Sequence, residues 1–256
     1  MSAAAPPATA RGTMPLAQHG REARRRATRA AAALLVGVVV GYLLSEQVLD
    51  LLREPIEAIA DQRAASLNYD TVTGAFDLRL RIAVTAGVVL SSPVWVTELF
   101  GFVSPGLERR ERRLVTGYGG SAAVLFAAGC GFGFWLFPHV VVVLAGFSSA
   151  EDSTILSAST YVDFVLTMVV ATGISFVLPV LVVMLHHLGL VSSRTIRRSW
   201  RLIVVVITLF SALVTPAADV LSMVVVALPM TVLFPGAVAL TVLREHRAER
   251  STACSA

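Results

Sequence analysis

The chain has no lysine: all 21 of its basic side chains are arginines. The simplest source is a GC-rich coding bias rather than chemistry. Charge of either sign is scarce, at 15% of 256 residues, against 55% hydrophobic. That leaves too little polar surface to cover one soluble core and points to a polytopic membrane protein. Only two cysteines occur, Cys130 inside an apolar run and Cys254 near the C-terminus. On the topology below they fall in different compartments, which argues against a disulfide, and Cys130 reads as a small core residue. There is no CxxC and no cluster with metal-ligand spacing, so no metal is expected. A nucleophile elbow, a phosphate loop and an acid pair inside a span are also missing. The reading is therefore of a non-enzyme without a cofactor. No internal repeat supports an inverted-repeat transporter. The net charge of +4 comes from arginines spread over separate loops, a topology signal rather than a nucleic-acid surface.

What is present is long apolar runs. A spanning helix needs about 20 mostly apolar residues. Six segments qualify or nearly do: about 30–49, 80–102, 114–137, 160–188, 202–215 and 220–243. The fifth is short enough to require a thinned bilayer or an incomplete crossing. The first ends in LLSEQVLD without a small-residue cleavage site, so it reads as a retained helix and not a signal peptide. Seventeen of the arginines fall before the first segment, between the second and third, between the fourth and fifth, or after the sixth. Only Arg53, Arg63, Arg79 and Arg81 fall on the other side. The positive-inside rule then places both termini in the cytoplasm. The expected organisation is a disordered tail (1–13), an all-α six-helix membrane domain (14–243) and a cytoplasmic C-terminal tail (244–256).

The first outer loop is acidic, and within it VLDLLREPIEAIA spaces apolar residues as an amphipathic helix on the outer membrane surface. Pro55 should kink or restart it. Pro93, Pro179 and Pro229 should bend the second, fourth and sixth spans, which suits a cupped bundle. Arg79 and Arg81 start the second span and can snorkel to headgroups. Asp163 and Asp219 stand where they can cap or charge helix N-termini. Glu98, near the inner end of the second span, either reaches the headgroup zone or lines a polar cavity. His186 and His187 are adjacent on a helix and so diverge, which argues against a shared metal site.

The stretch SPGLERRERR (104–113) mixes four arginines with Glu108 and Glu111 between two spans. Together with MPLAQHGREARRR (14–26), SSPVWVTELFGFVSPGLERRERR (91–113), YVDFVLTMVVATGISFVLPV (161–180), VTPAADVLSM and ALPM (214–230), it resembles the TatC family. That family comprises the multi-spanning receptor subunits of the twin-arginine protein translocase. The resemblance runs in consistent order from about 14 to 243 and is most specific over 91–113. It implies six spans, internal termini and a cupped shape in the bacterial inner membrane. The implied function is to bind the twin-arginine signal peptides of folded cargo at the cytoplasmic face. Export would then proceed with single-span partner subunits of the TatA/TatB type, in an oligomeric complex driven by the protonmotive force.

Residue by residue, His19, Glu22 and Arg24 match the family's N-terminal motif. Phe102, Pro105, Gly106, Leu107 and Glu111 match FxxPGLxxxE. Pro93 matches the second-helix proline and Pro55 that of the outer loop. Phe176 and Pro179 match part of the fourth-helix motif, and Thr215, Pro216 and Asp219 the fifth-to-sixth turn. The resemblance assigns signal binding to Glu22, Arg24, Phe102 and Glu111, and structural or partner contacts to the others, including Glu98. The departures are Gly20 and Ala23 for two leucines, Glu98 for the usual glutamine, Pro235 for an acidic residue, and Val177 for the glutamate of Phe-Glu-x-Pro. Loss of that membrane-embedded carboxylate touches coupling to partner helices more than signal recognition.

A guanidinium is a planar fork that a carboxylate binds in bidentate fashion, whereas lysine is a point charge. Two carboxylates on one face can therefore select two arginines. The local reading stands beside this one: Glu22 has Arg26, and Glu108 has Arg112, at the i,i+4 spacing of ordinary helix pairs. Glu108 is read as such a pair. The alternative functions are a small-solute secondary transporter and a non-translocating paralogue that keeps the scaffold.

Overall fold

The arginine-rich N-terminal flank is helical and continuous with the first apolar run. In the computed structural model, which describes residues 16–63, 66–68, 71–102, 109–146, 155–189, 191, 198–215 and 220–253, α1 spans Leu16–Leu43. It is followed by α2 (Ser45–Arg63), β1 (Ser66–Asn68), α3 (Gly74–Leu90), α4 (Ser92–Phe102) and α5 (Arg109–Ala145). Then come β2 (Ile155–Ser157), α6 (Ala158–His187), α7 (Trp200–Val214) and α8 (Val220–Ala253). The expected disordered tail 1–13 lies outside the described residues.

Among the described residues, four helices are long and apolar enough to cross a membrane, over Gly20–Leu43, Arg113–Leu144, Ala158–His187 and Ser222–Ala239. The pair α3 and α4 passes the same test together, bent by 58°. The remaining apolar helix, α7, has 15 residues, short of the roughly 20 a straight crossing needs. The fold is thus all but entirely helical with several candidate spans. The first span ends earlier than the apolar run suggests. The chain turns at Leu44, where the Ser45 hydroxyl caps the Tyr42 carbonyl at 2.7 Å, and residues 45–49 belong to α2.

The segment expected to be amphipathic is α2, and it runs through Pro55 without a restart. Its apolar face, Leu49, Leu52 and Ile56, is buried in the core. Pro55 cannot bond the carbonyl four residues back. In that turn the neighbouring Leu52 carbonyl accepts the buried Tyr161 hydroxyl of α6 at 2.9 Å. A short parallel pairing of β1 with β2, in register Ser66↔Ile155 to Asn68↔Ser157, joins the segment after α2 to the segment before α6.

Of the prolines expected to bend spans, only Pro93 stands at a break. The helices α6 and α8 continue through Pro179 and Pro229. The hub is α6: half of its span is buried, against 11% for α1. Val162, Val165 and Met168 of α6 pack with Phe126 and Phe137 of α5, Leu78 and Ile82 of α3, and α2. Backbones approach closely at small residues, as membrane helix pairs require. A Cβ on Gly37 would meet the Gly87 carbonyl oxygen at 2.6 Å, and one on Gly129 the Thr172 carbonyl oxygen at 2.8 Å.

Candidate functional site

Glu22, Arg26 and Arg29 are spaced i, i+4 and i+7, so helical phase puts them on one face of α1. That face meets α4, where Glu98 and Gly101 are likewise one turn apart. Arg26 donates from Nε to Glu22 Oε1 at 2.9 Å and from Nη1 to Glu98 Oε2 at 2.9 Å. Arg29 donates from Nη1 to the other oxygen of Glu98 at 3.2 Å. A Cβ at position 101 would stand 2.1 Å from Arg26 Nη1, so glycine is what lets the guanidinium lie against the α4 backbone. The side chains of Arg26 and Glu98 are only 15% and 17% exposed, whereas Arg29 is 52% exposed. Sheltered, charge-assisted bonds of this kind contribute about 1.5–3 kcal/mol each, more than the roughly 0–1 of an exposed pair.

Neither reading of Glu98 foresaw its partners: its carboxylate is neutralised by two arginines of α1. The local pairing of Glu22 with Arg26 is also present, but it is one arm of a chain, Glu22–Arg26–Glu98–Arg29, that ties two helices together. Sequence spacing revealed the Glu22–Arg26 arm and missed the arm to Glu98. The available signal was Glu98 followed one turn later by Gly101, a carboxylate beside a notch.

Beside this chain, Arg21, Arg24, Arg25, Thr28 and Arg29 line a shallow groove along α1. The Thr28 hydroxyl donates to the Arg24 carbonyl at 2.8 Å. Phe102 is half-buried at the end of α4. Val96 and Phe100 of α4 share a buried cluster with Val115 of α5, and Glu111 lies one turn before Val115 in the first turns of α5. The side chains of His19 and Glu111 lie outside the described residues, as do Pro105, Gly106, Glu108, Pro216 and Asp219 altogether.

Elsewhere, Phe176 packs its ring 5.9 Å from Phe132, Pro179 is buried in α6, and Thr215 is buried at the end of α7 with its hydroxyl on the Ser211 carbonyl. Val177 is half-buried and touches both hydrophobic clusters. Asp163 does not cap α6; it stands in the second turn and pairs with Arg81, which also bonds Asp77 at 2.8 Å. Arg79 pairs with Glu46 at 3.6 Å. Both arginines thus pair with carboxylates. The two histidines diverge as expected: His186 donates from Nδ1 to the Val191 carbonyl at 2.9 Å, and His187 meets the Tyr118 hydroxyl at 3.3 Å.

Comparison with known proteins converges on one description. The family model described as Sec-independent protein translocase protein (TatC) matches residues 18–229. A protein of that name from Xylanimonas cellulosilytica is 38% identical over 248 residues, covering 96% of this chain and 90% of the relative. Another from Rothia mucilaginosa is 31% identical, covering 94% and 83%. The crystal structure of a twin arginine translocase receptor, TatC, in the detergent DDM superposes with a TM-score of 0.76 at 26% identity, covering 87% of this chain and 99% of that one.

Proposed function

The chain belongs to the TatC family of Sec-independent protein translocase proteins, and from that membership we propose that it binds the twin-arginine signal peptides of folded cargo with the carboxylates of α1 and α5. It is a multi-spanning membrane component of a translocase built with other subunits. The proposal extends to single-span TatA/TatB-type partners in an oligomer, to the bacterial inner membrane with both termini cytoplasmic, and to a transport role without catalysis.

The observation that carries the receptor reading is the geometry around Arg26. This face of the molecule already holds a guanidinium between two carboxylates, each at 2.9 Å. The arrangement is of the kind that distinguishes arginine's fork from lysine's point charge. Glu22 supplies one receiving carboxylate. Glu111 is proposed as the second, with Arg24 and Phe102 bordering the bound peptide. A mid-membrane solute site has less support, because Glu98 is neutralised by α1.

A photo-crosslinker at position 111 should capture a twin-arginine signal peptide added to inverted membrane vesicles, whose cytoplasmic face is outward. Changing both arginines to lysines should abolish capture. Equal capture of both peptides would defeat the specificity claim, and capture in right-side-out vesicles alone would defeat the orientation.

A second reading rests on Val177. The family's intramembrane glutamate is replaced by a side chain packed against two apolar clusters, which favours a form that keeps the receptor scaffold with altered coupling to partner helices.

A further inference from the structure

If Glu22 receives a signal arginine, the incoming side chain meets a carboxylate that is already taken. Arg26 holds it through Nε at 2.9 Å, while Nη1 of the same guanidinium holds Glu98. We propose that Arg26 is a built-in competitor for Glu22, and that Glu98 is a positioning residue that keeps Arg26 paired when Glu22 passes to the signal peptide. The inference rests on the receptor reading of Glu22 and adds an exchange step to it.

The two arms are not equivalent. The Nε edge faces Glu22, whose side chain is 33% exposed, whereas Nη1 faces Glu98 at 17%. Nη1 also lies over the Gly101 notch, where no side chain fits. Arg29 fixes the far oxygen of Glu98. The guanidinium is therefore anchored on the α4 side, and its bond to Glu22 is the outer, exchangeable one. Release of Glu22 breaks one hydrogen bond and leaves the sheltered Arg26 charge beside a carboxylate. Without Glu98, the same release would strand a cation that is 15% exposed, a state disfavoured by desolvation. Glu98 thus lowers the cost of giving Glu22 away. Simple competition lowers the affinity of every ligand for Glu22 by one common factor, so Arg26 sets a binding threshold and leaves the choice between arginine and lysine to the receiving carboxylates.

The test is a double-mutant cycle on the full chain in detergent, read as the Kd of a fluorescent twin-arginine peptide and of its twin-lysine counterpart. Titrations at about 1 M salt, where the screening length falls to about 3 Å, suppress long-range charge effects. Arg26→Gln should tighten both peptides by a common factor, about ten- to a hundredfold for one sheltered, charge-assisted hydrogen bond removed from competition. Glu98→Gln should weaken both severalfold in the native background and change neither in the Arg26→Gln background. Thermal melting establishes that each variant is folded. If Arg26→Gln does not fold, Arg26→Lys replaces it; lysine cannot bridge both carboxylates, so a smaller tightening is expected.

A folded Arg26 variant that binds no tighter overturns the competitor. An equal loss from Glu98→Gln in both backgrounds means that Glu98 receives the signal itself, which overturns its positioning role. A native chain that prefers neither peptide overturns the receptor reading and this inference with it. Native discrimination with neutral variants overturns this inference alone.

Discussion

At the residue scale, the Val88 carbonyl shows how a helix break inside an apolar environment is made tolerable. In an unbroken helix its partner would be the N–H of Ser92, but α3 stops at Leu90 and α4 starts at Ser92 with Pro93 in its first turn. Trp95 reaches back, donating its indole Nε1–H to the Val88 carbonyl at 2.9 Å, with the Ser91 hydroxyl farther off at 3.4 Å. The Trp95 ring is held edge-on to Phe126 at 5.3 Å. Trp95→Phe keeps the ring contact and removes the donor, so it should destabilise the folded chain by about 1–3 kcal/mol. At the start of α4, Ser92 buries a hydroxyl without a hydrogen-bond partner, so Ser92→Ala should be neutral or stabilising. Thermal unfolding of the two variants in detergent checks the contrast; equal losses would refute it. A bend at Pro93 was legible in the sequence, although the same reasoning pointed equally to Pro179 and Pro229, through which α6 and α8 continue. The partner of the freed carbonyl was not legible, since it depends on the rotamer and packing of a side chain a full turn away.

At the element scale, two helix pairs close through small residues at four-residue spacing: Gly37 and Gly41 of α1 against Ala83 and Gly87 of α3, and Gly129 and Gly133 of α5 against Val169, Thr172 and Gly173 of α6. Lipid tails are as apolar as leucine, so close van der Waals approach rather than the hydrophobic effect draws such helices together. The two interfaces should respond to bulk and the rest of the helix should not. Gly87→Leu and Gly129→Leu press a side chain into backbone or packed neighbours within 3 Å, whereas Gly131→Leu on α5 meets nothing within 4 Å. The first two should cost more than the roughly 1–3 kcal/mol of ordinary overpacking, with loss of monodisperse protein on size exclusion, and Gly131→Leu should elute as the parent does. Loss at Gly131 of the same size would show that α5 is sensitive everywhere and that the interface does not decide. The four-residue glycine spacing is present in the sequence, but it marks a close contact without naming the partner helix. Apolar length gave the helices; which faces meet depends on pairings far apart in the chain, such as Glu98 with Arg26.

At the scale of the whole molecule, composition and apolar run length reached the helical, several-span architecture because a bilayer leaves few alternatives: spanning backbone must satisfy its own hydrogen bonds, and helices do so within one segment. Of the site, Glu22 and its local partner were legible from helix phase, while the tie to α4 required the fold. The departure that bears on the whole translocase is Val177. In the structure it fills space between two apolar clusters on α6, two residues before buried Pro179. A carboxylate there would carry an insertion cost of about 2.5–3.5 kcal/mol near mid-membrane, offset only by a partner or by water. The proposed receiving carboxylates Glu22 and Glu111 are intact in the sequence, so on that proposal recognition does not depend on position 177. The native chain should therefore restore export of a folded reporter with a twin-arginine signal in a strain lacking its own receptor subunit, supplied with single-span partners. Val177→Glu should lower the yield of folded protein without raising export per molecule. Should the native chain restore nothing while Val177→Glu does, the chain is a scaffold that binds signals but has lost its coupling to the partner helices.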